Sequence, residues 1–389
     1  MASAARAVTS RDPARVTFAA LGLGLLPCLL LVGFIGGSVR HHFVFDFRTF
    51  WLAAQSVTDG HSPYPSLAAI GGHHVAGDYE YFVYPPPFAY ALVPLGLLPF
   101  GLAAGIWLAL FVACVGVALW ALDVRDWRCY GLAFGVIPTL SAVRLGAVTP
   151  VLLLLAALAW RYRDDPLRCA AAVGSAVMLK LFLWPLFLWL AVTRRFRAAG
   201  VAVGGAALVT AAAWAGLAGN GLMHYLRLLR TLTRVEAVQS YSLVALADRL
   251  HLPDPQVSWL LLAVPLVVWV MSWARGRAGK ELDATLFAAA VVVALLLTPI
   301  LWLHYFVLLI VPVALARPRL SAEWGLLGLF WLSPFVEPSR QPLWRLLLVL
   351  GLVILIARRS TNRSSATSQG DLRPRPLLRR LSPASRQSS

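Results

Sequence analysis

Four ionisable residues lie in or beside long apolar stretches: Asp46, Arg144, Lys180 and His304. A charge held at or within a bilayer is costly, and so is a functional candidate by default. Asp46 sits in Phe45-Asp46-Phe47-Arg48-Thr49-Phe50-Trp51. A carboxylate fixed where lipid meets water suits removal of a proton from a sugar or lipid hydroxyl. The plainer reading makes it a helix cap, accepting a bond from an amide two or three residues on. Lys180, between Met178-Leu179 and Leu181-Phe182, offers a compact point charge to a phosphate or phosphodiester. Its plainer reading is a lysine snorkelling from near a helix end. Arg144, just before Gly146, admits the same two readings. His304, in Thr298-Pro299-Ile300-Leu301-Trp302-Leu303-His304-Tyr305, suits a place beside a phosphate or hydroxyl, or is a hydrogen-bonded wall residue.

Other chemistries are missing from the chain. There is no GxxxxGK[ST], HExxH or GxSxG, and no GxGxxG opening a helix after a strand, which disfavours a pump or motor with its own nucleotide site. The pairs His41-His42 and His73-His74 are adjacent in sequence and rarely converge on one ion. Cys28, Cys114, Cys129 and Cys169 have no metal or disulfide spacing. These residues name no metal site and no cofactor.

The elements that position these residues must be membrane helices. Of 389 residues, 59% are hydrophobic and only 13% charged, against about 45–50% and 25% in a soluble domain. The mean hydropathy of +0.74 leaves too little polar surface for a soluble exterior of this size. The net charge of +17 could suggest nucleic acid. The basic residues instead form short clusters between apolar runs, the positive-inside pattern, so nucleic acid is not an expected partner.

Residues 1–15 read as a cytoplasmic start, and the 22 residues Val16–Gly37 as an uncleaved first span. Arg161–Arg163, Arg194–Arg197, Arg275–Lys280, Arg317–Arg319 and Arg358-Arg359 mark cytoplasmic turns. Apolar runs near 102–122, 130–160, 169–192, 200–218, 257–273, 284–316, 324–336 and 343–357 lie between them. Runs 169–192 and 284–316 should be hairpins whose midpoints, Lys180 and Trp302–His304, point outward. One alternative stays open. Either 84–98 crosses the membrane and 130–160 is a single bent helix, or 84–98 lies at the interface and 130–160 is a hairpin around Gly146. Both give an all-α polytopic membrane protein with about twelve spans. The membrane domain runs over 16–357, and a basic, disordered cytoplasmic tail over 358–389.

Two extracytoplasmic segments stand out, a long first loop at 38–83 and a second at 219–256. In the first, Phe47, Phe50, Trp51 and Ala54 recur at helical spacing and should form an interfacial helix. In the second, Tyr225–Arg230 reads as an amphipathic surface helix. Tyr84-Pro85-Pro86-Pro87 presets a rigid, extended lead-in to the next apolar segment.

Taken together, the chain resembles glycosyltransferase family 87, integral membrane enzymes of the GT-C fold class that use polyprenyl-phosphate sugars and include actinobacterial α-1,2-mannosyltransferases. The resemblance covers roughly residues 16–355. It is carried by Asp46-Phe47…Phe50-Trp51-Leu52-Ala53-Ala54 with Gly60…Pro63-Tyr64, and by Tyr84-Pro85-Pro86-Pro87…Pro94-Leu95…Leu98-Pro99. Lys180 with Pro185, Gln239-Ser240 with Ser242-Leu243, and Thr298-Pro299…Trp302…His304 follow in the family's order. Where members usually carry Gly-Gln-x-Asn, this chain reads Gly146-Ala147-Val148-Thr149, and the proline that commonly follows the lysine is Leu181.

The resemblance implies a GT-C-like fold in the cell membrane with an active site on the extracytoplasmic face. It implies a hexose, by the family's habit mannose, moved with inversion from a polyprenyl-phosphate-linked donor to a lipid or glycan acceptor among membrane lipids. The family's general base falls on Asp46, its lysine on Lys180 and its histidine on His304. Arg48 and Arg144 join the last two as candidates around the donor phosphate, and Tyr84, Trp51, Gln239 and Trp302 as walls of the substrate cavity. A transporter or flippase of a lipid-linked sugar or small solute is the alternative, since it too would have many spans and buried charges.

Overall fold

A computed structural model describes residues 44–64, 81–219, 221–237, 240–255, most of 257–268, and 279–332. The first span, the pairs His41-His42 and His73-His74, Gln239, and the tail at 358–389 lie outside them. Every regular element among the described residues is helical.

The chain enters through helix α1 (Phe45–Thr58). Two short helices follow, α2 (Pro86–Ala91) and α3 (Val93–Gly96), each with proline in its first turn. Pro85 precedes α2 in an extended conformation, so the three-proline run starts a helix where the missing N–H groups cost nothing. At six and four residues, α2 and α3 reach about 9 and 6 Å and cannot cross a core of about 30 Å. The long apolar helix α4 (Phe100–Ala121) does have that reach.

Three hairpins follow, each closed by charges at one end. The first climbs through α5 (Trp127–Gly135) and α6 (Ile137–Leu145) and descends through α7 (Thr149–Arg161). At its foot the Arg161 guanidinium lies 4.1 Å from the ring centre of Trp120 and 3.6 Å from Asp123, at the end of α4. At its apex the Gly146 carbonyl accepts the indole N–H of Trp107 at 2.8 Å, well along α4 from Trp120. Chain that leaves Asp123 and is back beside it at Arg161 must fold over, so 130–160 is a hairpin around Gly146. Gly146 makes the bend possible. Its φ is +67°, a conformation that a side chain would strain.

The second hairpin is α8 (Pro166–Leu179), a short 3-10 turn (Leu181–Leu183) and α9 (Pro185–Val192). Asp165 caps α8, accepting from the amides of Leu167 and Arg168 at 3.1 Å each, with Pro166 in the first turn. The legs, Pro166–Leu179 and Leu181–Val192, are about 21 and 18 Å long. Their feet meet where Arg195 donates to the Arg163 carbonyl at 2.8 Å. Lys180, extended at φ −152° and ψ 111°, interrupts the helix at the far end of both legs. Helix α10 (Phe196–Gly216) then crosses from foot to apex as the second helix long and apolar enough to span. Its side chains are mostly exposed, including Val203, Leu208 and Val209, as a lipid-facing helix requires.

After α10 come α11 (Leu222–Glu236) and α12 (Leu243–Arg249). The stretch expected to be amphipathic, 225–230, lies within α11. Helix α13 (Gly279–Leu297) opens the third hairpin, which turns at Trp302–His304 and returns through a 3-10 turn (Leu303–Leu309) and α14 (Ile310–Ala316). Its outgoing foot carries Asp283, bridged to Arg195 at 2.9 and 2.7 Å and to the Trp189 indole at 3.0 Å. Its returning foot is tied by the Leu320 amide to Asp126 at 3.1 Å, ahead of α15 (Ala322–Leu327). The basic clusters at 161–163 and 194–195 therefore share one end of the bundle, and Gly146, Lys180 and Trp302–His304 the other.

Candidate active site

The apex end is built around α1. Its first residue follows Val44, which is left-handed at φ 54° and makes no side-chain cap. Asp46 is thus the second helical residue rather than the cap, and its negative charge lies in the turn where the helix dipole favours it. It is half-buried. Two contacts fix this turn. The Val44 amide donates to the Arg144 carbonyl at 2.9 Å. The Phe47 ring stacks on Trp107 at 5.3 Å, the same indole that holds Gly146. The Asp46 turn and the end of α6 therefore form one corner. Arg48 and Arg144 are both exposed there.

Phe50, one turn beyond Asp46 on the same face, is buried and meets the Tyr84 ring edge-on at 5.0 Å. Tyr84 is held from two directions, because its carbonyl accepts the Tyr64 hydroxyl at 2.8 Å and its own hydroxyl accepts Lys180 Nζ at 3.1 Å. The ammonium also lies 4.5 Å from the centre of the Tyr84 ring and 4.4 Å from that of Tyr305. Lys180 is half-buried, and two aromatic faces replace part of the water its ammonium loses, a contact worth about 0.5–2 kcal/mol depending on how far it is desolvated. Phe182 stacks on Tyr305 at 5.2 Å with planes 4° apart, and His304 meets that ring edge-on at 4.7 Å. Lys180 is close enough to His304 to act on it electrostatically.

The second large loop joins the same region. The Tyr241 amide donates to the Leu301 carbonyl at 2.9 Å, and the Tyr241 ring meets Phe306 edge-on at 5.6 Å. The buried hydroxyls of Ser240 and Ser242 bond at 2.9 Å, and Ser242 caps α12. This brings the Ser240–Leu243 motif against Leu301–His304.

Of the candidates named from sequence, Lys180 and His304 meet at the Tyr305 ring, and Tyr84 joins them through Lys180. Asp46 lies one aromatic side chain, Phe50, away from Tyr84. Trp302 precedes this group and is half-buried. Trp51 turns aside, donating to the Leu98 carbonyl at 3.0 Å and packing on Phe100, so it braces the turn between α3 and α4. Gln239 lies outside the described residues. Tyr305 and Phe182 were not singled out, although both sit one or two positions from a candidate. Thr149, where the family usually carries Asn, is buried, and its hydroxyl has no hydrogen-bond partner among the described residues. Among the described residues no group of three His, Cys, Asp or Glu could hold a metal.

The arrangement pairs a carboxylate at a helix start with a lysine clamped between two phenols, which suits deprotonation of a hydroxyl beside a departing anion. The family model described as glycosyltransferase family 87 matches residues 82–312. The chain belongs to that family. It is therefore an enzyme, a membrane glycosyltransferase, and the transporter alternative falls away. The matched segment of this family 87 member includes Tyr84, Arg144, Lys180, Trp302 and His304, whereas Asp46, Arg48 and Trp51 precede it. No curated protein and no solved structure matched the chain.

Proposed function

We propose that the enzyme moves a hexose, with mannose the first candidate, from a polyprenyl-phosphate donor to a lipid or glycan hydroxyl on the extracytoplasmic face of the cell membrane. Asp46 takes the proton of the acceptor hydroxyl. The oxygen attacks the anomeric carbon from the face opposite the phosphate, and the bond from that carbon to the phosphate oxygen breaks. The electron pair leaves with the polyprenyl phosphate, and the product has the inverted configuration. A lipid phosphate leaves without a general acid, so a single carboxylate is enough, in contrast to the pair in a glycosidase. Lys180, aided by His304, Arg48 and Arg144, offsets the charge developing on the phosphate. Tyr84, Gln239 and Trp302 line the sugar, and Trp51 supports the wall.

The observation that carries this reading is the Tyr84–Lys180–Tyr305 clamp, one aromatic ring from the helix bearing Asp46. The extracytoplasmic assignment is supported by the basic clusters gathered at the opposite end. The test is purified enzyme in proteoliposomes, given polyprenyl-phosphate mannose labelled in the sugar and a lipid acceptor. Labelled product whose anomeric configuration is opposite to the donor's is expected. Release of free mannose alone, or retained configuration, would refute the proposal.

A further inference from the structure

We propose that the outward face of α11 is a docking surface for the anionic lipid headgroups of the leaflet at the apex end. Helix α11 has two unlike sides. Tyr225 and Leu228 are buried, and the Tyr225 ring lies 4.9 Å from Tyr64 and 5.8 Å from Trp214. The opposite side carries Arg227, Arg230 and Arg234, spaced three and four residues apart and all exposed. That spacing puts the three guanidinium groups in one row. None of them forms an ion pair among the described residues.

Two observations favour lipid over a soluble anion. Leu222, Met223 and Leu226 in the first turns are 39%, 66% and 41% exposed, an apolar edge that water alone would not select. Helix α11 also starts just after α10, whose outer face exposes Leu208 and Val209 and so meets acyl chains. A helix leaving the end of such a span lies at headgroup depth, where an apolar edge can enter the acyl boundary and a basic row faces phosphates. The proposal does not depend on the transfer chemistry.

The experiment uses the full chain in nanodiscs, with Cys28→Ala and a fluorophore on Met223→Cys. Cys114, Cys129 and Cys169 are buried. Quenching by nitroxide-labelled phosphatidylglycerol is compared with quenching by phosphatidylcholine carrying the same nitroxide. The expected result is stronger quenching by phosphatidylglycerol, a preference that weakens with salt. The triple variant R227Q/R230Q/R234Q should lose it, with an association at least about tenfold weaker. Inorganic phosphate should compete no better than chloride at matched ionic strength. Equal quenching by both lipids, no quenching by either, a preference that survives the triple substitution, or specific displacement by inorganic phosphate would each overturn the proposal.

Discussion

The ammonium of Lys180 lies 3.1 Å from the hydroxyl of Tyr84, a residue 96 positions earlier in the chain. The contact joins the apex of the second hairpin to the three-proline turn before α2. Replacing Lys180 by Met should lower kcat about a hundredfold or more, the usual cost of losing a charge aimed at a leaving group. Arg should rescue little, because a planar guanidinium does not replace a compact ammonium between two rings. Tyr84→Phe keeps the ring and loses one hydrogen bond, so it should cost roughly five- to tenfold. Steady-state kinetics against donor concentration check all three.

Gly146 tests how tightly the acid-bearing helix is seated. A Cβ there would lie 2.9 Å from that of Phe47 and 3.2 Å from Val44, at a φ of +67°. Gly146→Ala should destabilise the protein by about 1–3 kcal/mol. It should also lower transfer per folded molecule, because relief of the clash moves the turn containing Asp46. Thermal unfolding in detergent and activity normalised to folded protein measure the two effects. Activity that falls only in step with folded protein would show that α1 does not shift.

The closed foot of the bundle should act on stability alone. Asp283 and Arg195 are only 17% and 19% exposed, so Asp283→Ala leaves a partly buried guanidinium with only the exposed Asp164 carboxylate, 3.6 Å away, as a counter-charge. The expected cost is about 2–3 kcal/mol, with kcat per folded molecule unchanged. A change in donor KM without loss of stability would contradict this division of roles.

Asp126, in the connection after α4, accepts from Arg128 Nε and Nη2 at 2.9 and 2.8 Å. That pairing holds its carboxyl at about 2, below the ordinary 3.8. The folded value is the lower one, so its contribution to stability is complete above the ordinary carboxylate range and disappears as pH falls from about 4 to 2. Asp126→Asn should flatten the pH dependence of unfolding in that window and leave it unchanged near neutrality.

Much of this architecture was legible in the sequence because charge is expensive inside a bilayer. The clusters at 161–163 and 194–197 had to lie on one side, so the run between them had to fold back, with Lys180 at the bend. The Gly146 region resisted the same logic. Asp123–Arg128 has no net charge, and only the contacts of Arg161 with Trp120 and Asp123 decided between one bent helix and a hairpin. The clamp on Lys180 was legible in part. Tyr84 and His304 stood out by motif, but Tyr305 and Phe182 look like ordinary wall aromatics until two distant hairpin apexes are brought together. Trp51, which spacing placed on the apolar face of its helix, donates to the Leu98 carbonyl at 3.0 Å, because a single indole N–H among apolar neighbours goes to a nearby acceptor.

The central claim is tested most directly by Asp46→Asn, which keeps size and removes the base. Transfer from labelled polyprenyl-phosphate mannose to a lipid acceptor would be measured in proteoliposomes, alongside thermal stability and donor binding. The predicted result is a fall of about a thousandfold in transfer, with melting temperature and donor affinity retained. Transfer at the wild-type rate by the folded variant would contradict it.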